Sequence, residues 1–248
     1  MSSTRFPGKV LQPILDVPML GRQIERVKRS KRLDRLVVAT SIEPLDDPLA
    51  QFCEQNAIAV FRGSLNDVLD RFYQAAAPHK PDHVVRLTGD CPLSDPEVID
   101  QVIETHVAGG FDYTSNTIEP SYPDGLDVEV MRFACLEAAW READLPSARE
   151  HVTPFLYRRP ERFRLRNCAI TPNRADLRWT VDVPEDLEFV RKIFAQLYPV
   201  DPNFGLAQIL ELLENHPTFN RDGNLPVRNE GLAKSVLQDE IFLQGQKG

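Results

Sequence analysis

The chain has 248 residues, of which 42% are hydrophobic and 27% charged, enough for one large α/β domain with at most a small extension and too apolar for a disordered chain. Its formal net charge of −8 excludes a general attraction for nucleic acid or anionic membrane, so any polyanion it binds must meet a local basic patch. No apolar run approaches the roughly 18 residues of a membrane span, and no apolar stretch marks a signal peptide.

The first eleven residues, Met1-Ser2-Ser3-Thr4-Arg5-Phe6-Pro7-Gly8-Lys9-Val10-Leu11, gather hydroxyls, a Pro-Gly turn and two cations, the chemistry of a triphosphate loop. The glycine spacing is not that of a Walker loop, and a solvated basic terminus has the same composition. Residues 17–29 carry Leu20, Ile24 and Val27 at helical spacing. Leu36-Val37-Val38-Ala39-Thr40 is a short β-branched run, followed by a helical pattern over 48–55. A second run, Ile58-Ala59-Val60-Phe61, leads into Arg62-Gly63-Ser64 and a helix over 68–77, with Asp67 and Arg71 at pairing distance along it. A third, His83-Val84-Val85-Arg86-Leu87, ends in Thr88-Gly89-Asp90 before a helix over 96–107. This alternation predicts βαβ units, a mainly parallel sheet flanked by helices, and a ligand at the carboxyl ends of the strands.

In the second half, Tyr122-Pro123-Asp124-Gly125 is a turn, and residues 126–130 alternate with Asp127 and Glu129 on one face. Residues 133–143 and 150–157 read as helices, the second opened by Glu150-His151, and 162–170 alternates again. Leu177-Arg178-Trp179-Thr180-Val181 is strand-like and ends at Asp182. An Asp in this place is commonly a helix cap. Paired with Asp90 from another strand end, it also suits a magnesium ion, which takes one or two carboxylates plus phosphate oxygens and water. Helices over 184–197 and 205–214 follow, and the tail after Pro217 reads as an arm or short strand. Cys53, Cys91, Cys135 and Cys168 are scattered, as reduced thiols of a cytoplasmic protein are.

Taken together and in order, seven segments resemble the acylneuraminate cytidylyltransferase superfamily, in its branch of proteins like spore coat polysaccharide biosynthesis protein F. They are Arg5-Phe6-Pro7-Gly8-Lys9, residues 37–41, residues 61–72, Thr88-Gly89-Asp90-Cys91-Pro92-Leu93, residues 122–129, Arg149-Glu150-His151-Val152-Thr153-Pro154 and Thr180-Val181-Asp182. The resemblance implies a nucleotide-diphospho-sugar transferase (GT-A-like) fold over residues 1–216, with 217–248 as a C-terminal arm. It implies CMP transfer from CTP to a small acidic sugar. Ser3, Arg5 and Lys9 fall on the CTP phosphates, and Asp90 and Asp182 on Mg2+, with Arg5, Lys9 and Asp90 catalytic. Thr40, Arg62, Gly63, Ser64, Asp67 and Arg71 fall near the base and ribose. Asn116, Asp127, Glu129, Glu150 and His151 fall where the acceptor lies. Members are often homodimers joined through the second half.

In the family a buried strand precedes the basic loop, and here it is missing, so the natural start is expected upstream of Met1. Two other readings stay open. One is a glycosyltransferase using a finished nucleotide-sugar, which the single Asp90 followed by Cys91-Pro92 disfavours because such enzymes commonly carry Asp-x-Asp there. The other is a nucleotide-binding module without catalysis.

Overall fold

A computed structural model of the chain describes residues 5–219, 228 and 230–245. A short hairpin of β1 (Pro13–Ile14) and β2 (Val17–Pro18) leads into α1 (Met19–Val27). Then β3 (Val37–Ser41), α2 (Asp47–Gln55), β4 (Ala59–Gly63), α3 (Val68–Ala76), β5 (His83–Arg86) and α4 (Pro96–Gly109) alternate as the sequence predicts. The second half contains β6 (Tyr113–Ser115), β7 (Glu129–Arg132), α5 (Phe133–Glu142), α6 (Pro146–His151), α7 (Pro154–Tyr157) and β8 (Leu165–Asn167). It closes with α8 (Pro184–Leu197), α9 (Leu206–Asn215) and α10 (Glu230–Gly245). No helix among the described residues is long and apolar enough to cross a membrane.

The pairing is mixed where the sequence predicts mainly parallel strands. β3 and β4 pair in parallel, and a second sheet runs β5-β7-β6-β8. In it β7 is antiparallel to both β5 and β6, and only β6–β8 is parallel. Apolar alternation reports a buried face but not the direction of a neighbour, so this inserted strand left no mark in the pattern.

Three local expectations change as well. The helix expected over 150–157 is two helices, broken at Val152 with φ 72, and Pro154 opens the second of them, α7, at a position that suits proline. The strand expected over 162–170 is confined to β8. The described part of the tail is a helix, α10, packed on α6, rather than a strand.

β3 and β5 face each other across a slot of about 1040 Å³ lined by Val37, Val38, Val85, Leu87, Phe72 and Ile103. Among the described residues the facing edge of each strand has no partner. Unpaired strand edges and apolar walls without neighbours are both costly.

The main core joins α4, α8 and α9 to β7 and to the 179–181 segment, through Ile99, Val102, Val130, Trp179, Val181, Phe194 and Ile209. All four cysteines are buried and free. His106 of α4 is fully buried, with Nδ1 2.9 Å from Thr114 Oγ1 and Nε2 3.1 Å from His83 Nδ1. Burial, then the neighbouring His83 and Arg132, lower its pKa to about 4. The unfolded chain takes up this proton near pH 6.5, so stability is complete above that pH and is lost as pH falls toward 4. The loss is expected to reach about 3 kcal/mol from this one group, the 1.36 kcal/mol per pKa unit of linkage. Urea denaturation at pH 7 and pH 4.5 checks it: His106→Gln is expected to lose less than the wild type, and equal losses would contradict the assignment.

Candidate active site

The site grows from the basic loop. Gly8 takes the left-handed conformation (φ 71) and turns the chain into a single helical turn over Lys9–Leu11. That turn points Lys9 inward. Its Nζ donates to Asp90 Oδ2 at 3.2 Å, to Asp182 Oδ1 at 3.0 Å and to the Val181 carbonyl at 2.6 Å. Arg5 Nη2 lies 3.2 Å from Asp182 Oδ1. Two carboxylates 92 residues apart in the sequence thus meet on one ammonium beside a guanidinium.

Main-chain contacts hold the two aspartates together independently of their charges. The Val181 N–H donates to the Asp90 carbonyl at 2.8 Å, and Thr180 Oγ1 donates to the same oxygen at 3.2 Å. Asp182 is not the helix cap. Asp186 Oδ2 accepts from the N–H groups of Asp182 and Val183, at 2.7 and 3.1 Å, and so closes the start of α8. The Asp182 carboxylate is left facing the cations. Burial alone would raise its pKa, but Lys9, Arg178 and Arg5 outweigh burial and hold it below the usual carboxylate range. Burial likewise lowers the Lys9 ammonium, and Asp90 and Asp182 more than reverse it, so Lys9 stays charged.

Behind the pair lies a second layer, in which the sequence marks Asp127 as a site residue but neither of the arginines. Arg178 donates to Asp124 Oδ2 at 2.8 Å and to Asp182 Oδ2 at 2.5 Å, and stands 3.7 Å from Asp186. Gly125, at φ 111, makes that approach feasible, since a Cβ there would sit 2.6 Å from Thr180 N. Arg228 donates to Asp127 Oδ1 at 2.5 Å and to the Tyr122 carbonyl at 3.3 Å. The period-two spacing of Arg178, Thr180 and Asp182 was the available signal for the first contact, although the strand expected over 177–181 is reduced to an isolated bridge of Arg178 with Asp124. Nothing local marks Arg228.

Other expected site residues are committed to the fold. Thr40 is buried, and its Oγ1 donates to Asp46 Oδ2 at 2.6 Å. Arg62 binds the Ser41 and Glu43 carbonyls and pairs with Asp47. Gly63 packs against Phe61 and Arg71, where a Cβ would come within 3.0 and 3.1 Å. Ser64 accepts from the Asp67 N–H through its hydroxyl and from Arg71 through its carbonyl. Asp67 caps α3 and pairs with Arg149 of α6, not with Arg71.

On the expected acceptor side, Asn116 is fully buried and ties Leu126 O to Val128 N, a structural task that its motif position did not disclose. Glu129 is enclosed by Arg86, Tyr113 Oη at 2.6 Å and Thr153 Oγ1 at 2.5 Å. Glu150 and His151 both meet Ser235 of α10, at 2.6 and 3.0 Å. Asp127 pairs with Arg228 and lies in the field of Asp124, Glu129 and Asp90. Ser3 lies outside the described residues.

No group of three or more His, Cys, Asp or Glu side chains suited to a metal exists among the described residues. Asp90 and Asp182 nonetheless fit a hard divalent ion. Magnesium needs only one or two protein carboxylates when phosphate oxygens and water complete its shell, and these two already converge on a cation.

The cytidylyltransferase family model matches residues 1–216. The chain belongs to the cytidylyltransferase family. It is 35% identical to the spore coat polysaccharide biosynthesis protein SpsF of Bacillus subtilis, over 88% of this chain and 92% of that protein. A 3-deoxy-manno-octulosonate cytidylyltransferase of Anaeromyxobacter dehalogenans is 36% identical over 43% of this chain and 44% of its own length. The solved structure of a cytidylyltransferase from Leptospira borgpetersenii superposes with a TM-score of 0.85 at 30% identity, covering 92% of this chain and 95% of that one. This cytidylyltransferase is therefore a CTP-dependent nucleotidyltransferase, and the branch expected from its motifs is the one its relatives occupy.

Proposed function

We propose that this cytidylyltransferase transfers CMP from CTP to a hydroxyl of a small acidic sugar, releasing pyrophosphate, and so activates the sugar for surface polysaccharide or glycan synthesis. The convergence of Lys9, Asp90 and Asp182 at one point carries the reading. The polysaccharide role named for the Bacillus relative and the octulosonate named for the Anaeromyxobacter relative support the acceptor class.

The reaction makes one bond from the acceptor oxygen to the α-phosphorus and breaks the bond to the bridging oxygen, which leaves on pyrophosphate with the electron pair. Lys9 and Arg5 compensate the charge that gathers on the leaving group. Both are paired with Asp182 in this structure, so binding of the nucleotide exchanges that carboxylate for phosphate oxygens on cations already gathered at the site. A Mg2+ ion on Asp90 and Asp182 would supply Lewis-acid charge and orient the α-phosphate. Arg178 and the main-chain bonds at Asp90 keep the two carboxylates in register for that role. The GT-A-like arrangement, Ser3 on the phosphates, pairing of two chains through their second halves and a cytoplasmic location belong to the same proposal.

A pyrophosphate-release screen of CTP and UTP against acidic sugars tests the reading. Release with CTP and an acid, and none with either alone, is the expected result. Hydrolysis of a nucleotide-sugar without such release would favour the glycosyltransferase instead, and CTP binding without turnover on any acid would favour the non-catalytic module.

A further inference from the structure

We propose that Asp127 is the proton acceptor for the attacking hydroxyl and that Arg228, from the C-terminal segment, is the residue that positions it. The inference rests on the nucleotidyl-transfer reading. Transfer needs a group to take the proton of the acceptor hydroxyl as the new phosphorus–oxygen bond forms.

The carboxylates around the centre differ in how they are occupied. Asp90 and Asp182 are held by Lys9, and Asp182 by Arg178 and Arg5 as well. Asp124 is gripped by Arg178 at 2.8 Å, on a guanidinium whose side chain is 6% exposed. Glu129 is surrounded by Arg86 and two hydroxyls and is 7% exposed. His151 faces α10 through Ser235. Asp127 differs from all of them. Among the described residues its one hydrogen-bonded partner is Arg228, on Oδ1, and 27% of its side chain is open. Its second oxygen is left to meet a substrate.

The surrounding charges suit proton transfer near neutrality. Burial is the largest influence and raises the Asp127 pKa, Arg228 opposes it, and the carboxylates of Asp124, Glu129 and Asp90 raise it further, to about 7. A base matched to the working pH is the most effective one. Arg228 Nε stands 3.8 Å from Asp124 and Arg178 bridges Asp124 to Asp182, so Asp127 is tied through ion pairs to the phosphate centre. When the hydroxyl attacks, its proton passes to Asp127 Oδ2, its electron pair forms the bond to phosphorus, and pyrophosphate leaves with the pair of the broken bond.

The test is the pH dependence of kcat/KM for pyrophosphate release from CTP, measured on the full chain with the acid that turns over. The wild type is expected to lose activity below an apparent pKa near 7. Asp127→Asn is expected to fall about 100-fold or more and to lose that limb, with CTP affinity by calorimetry and Tm little changed. Arg228→Gln removes the charge that lowers the Asp127 pKa, so its limb is expected to move to higher pH, and Arg228→Lys to move it part of the way. Wild-type turnover in Asp127→Asn, or an unchanged limb in its residual activity, would overturn the assignment of Asp127. An unmoved limb in Arg228→Gln would overturn the positioning role. No pyrophosphate from the wild type with any acid overturns the transfer reading itself, and this inference with it.

Discussion

Asp90→Asn is expected to lower CTP turnover by at least about 100-fold while Tm stays within a few degrees of the wild type. The carboxylate makes one strong contact, to Lys9 at 3.2 Å, and 28% of its side chain is open. The main chain at Asp90 is held separately, by Val181 N–H and Thr180 Oγ1 on its carbonyl. Asn keeps the shape and leaves Lys9 its contacts to Asp182 and the Val181 carbonyl. The fold therefore loses little, whereas the site loses a charge in the place where charge develops during transfer. Steady-state pyrophosphate release checks the first part and a thermal melt the second. Turnover like the wild type would remove Asp90 from the mechanism.

Arg178→Met is expected to act in the opposite order, on stability first. Its guanidinium is 6% exposed and serves Asp124, Asp182 and Asp186 at once. Burial lowers the pKa of Arg178, but these three carboxylates more than restore it, so the group is charged and paired throughout. Taking out one member of a buried ion network leaves the others uncompensated, which costs about 3–5 kcal/mol. For a chain of this size that is a fall in Tm of roughly 10 °C. Arg178→Lys keeps the charge but not the fork, and is expected to recover only part of the loss. Urea denaturation of the three proteins gives the numbers. A loss below about 1 kcal/mol in Arg178→Met would show that the network does not hold the site together.

How much of this was legible in the sequence follows from the range over which each signal acts. The helices over 68–76, 96–109, 184–197 and 206–215 were readable because each buries one stripe and the period is local. The meeting of Asp90 and Asp182 was readable from motif resemblance, whereas only the structure shows that Asp186 takes the cap and leaves the Asp182 carboxylate to Lys9 and Arg178. Asn116 and Glu129 illustrate the converse. A polar residue in a functional motif and one that satisfies a buried backbone look alike in sequence, and here the backbone and Arg86 claim them. Arg178 and Asp124 are 54 residues apart, and Arg228 and Asp127 are 101 apart. Contacts of that reach depend on how the sheet and tail pack, which no local pattern encodes.

The proposed chemistry requires Lys9, Asp90 and Asp182 to form one phosphate-binding centre. A crystal structure of the full chain with CTP and Mg2+ tests this most directly. The expected result is Lys9 Nζ on the triphosphate, with Asp90 and Asp182 sharing one metal ion at the α-phosphate. A triphosphate bound elsewhere, with Lys9 still paired to both aspartates, would contradict it.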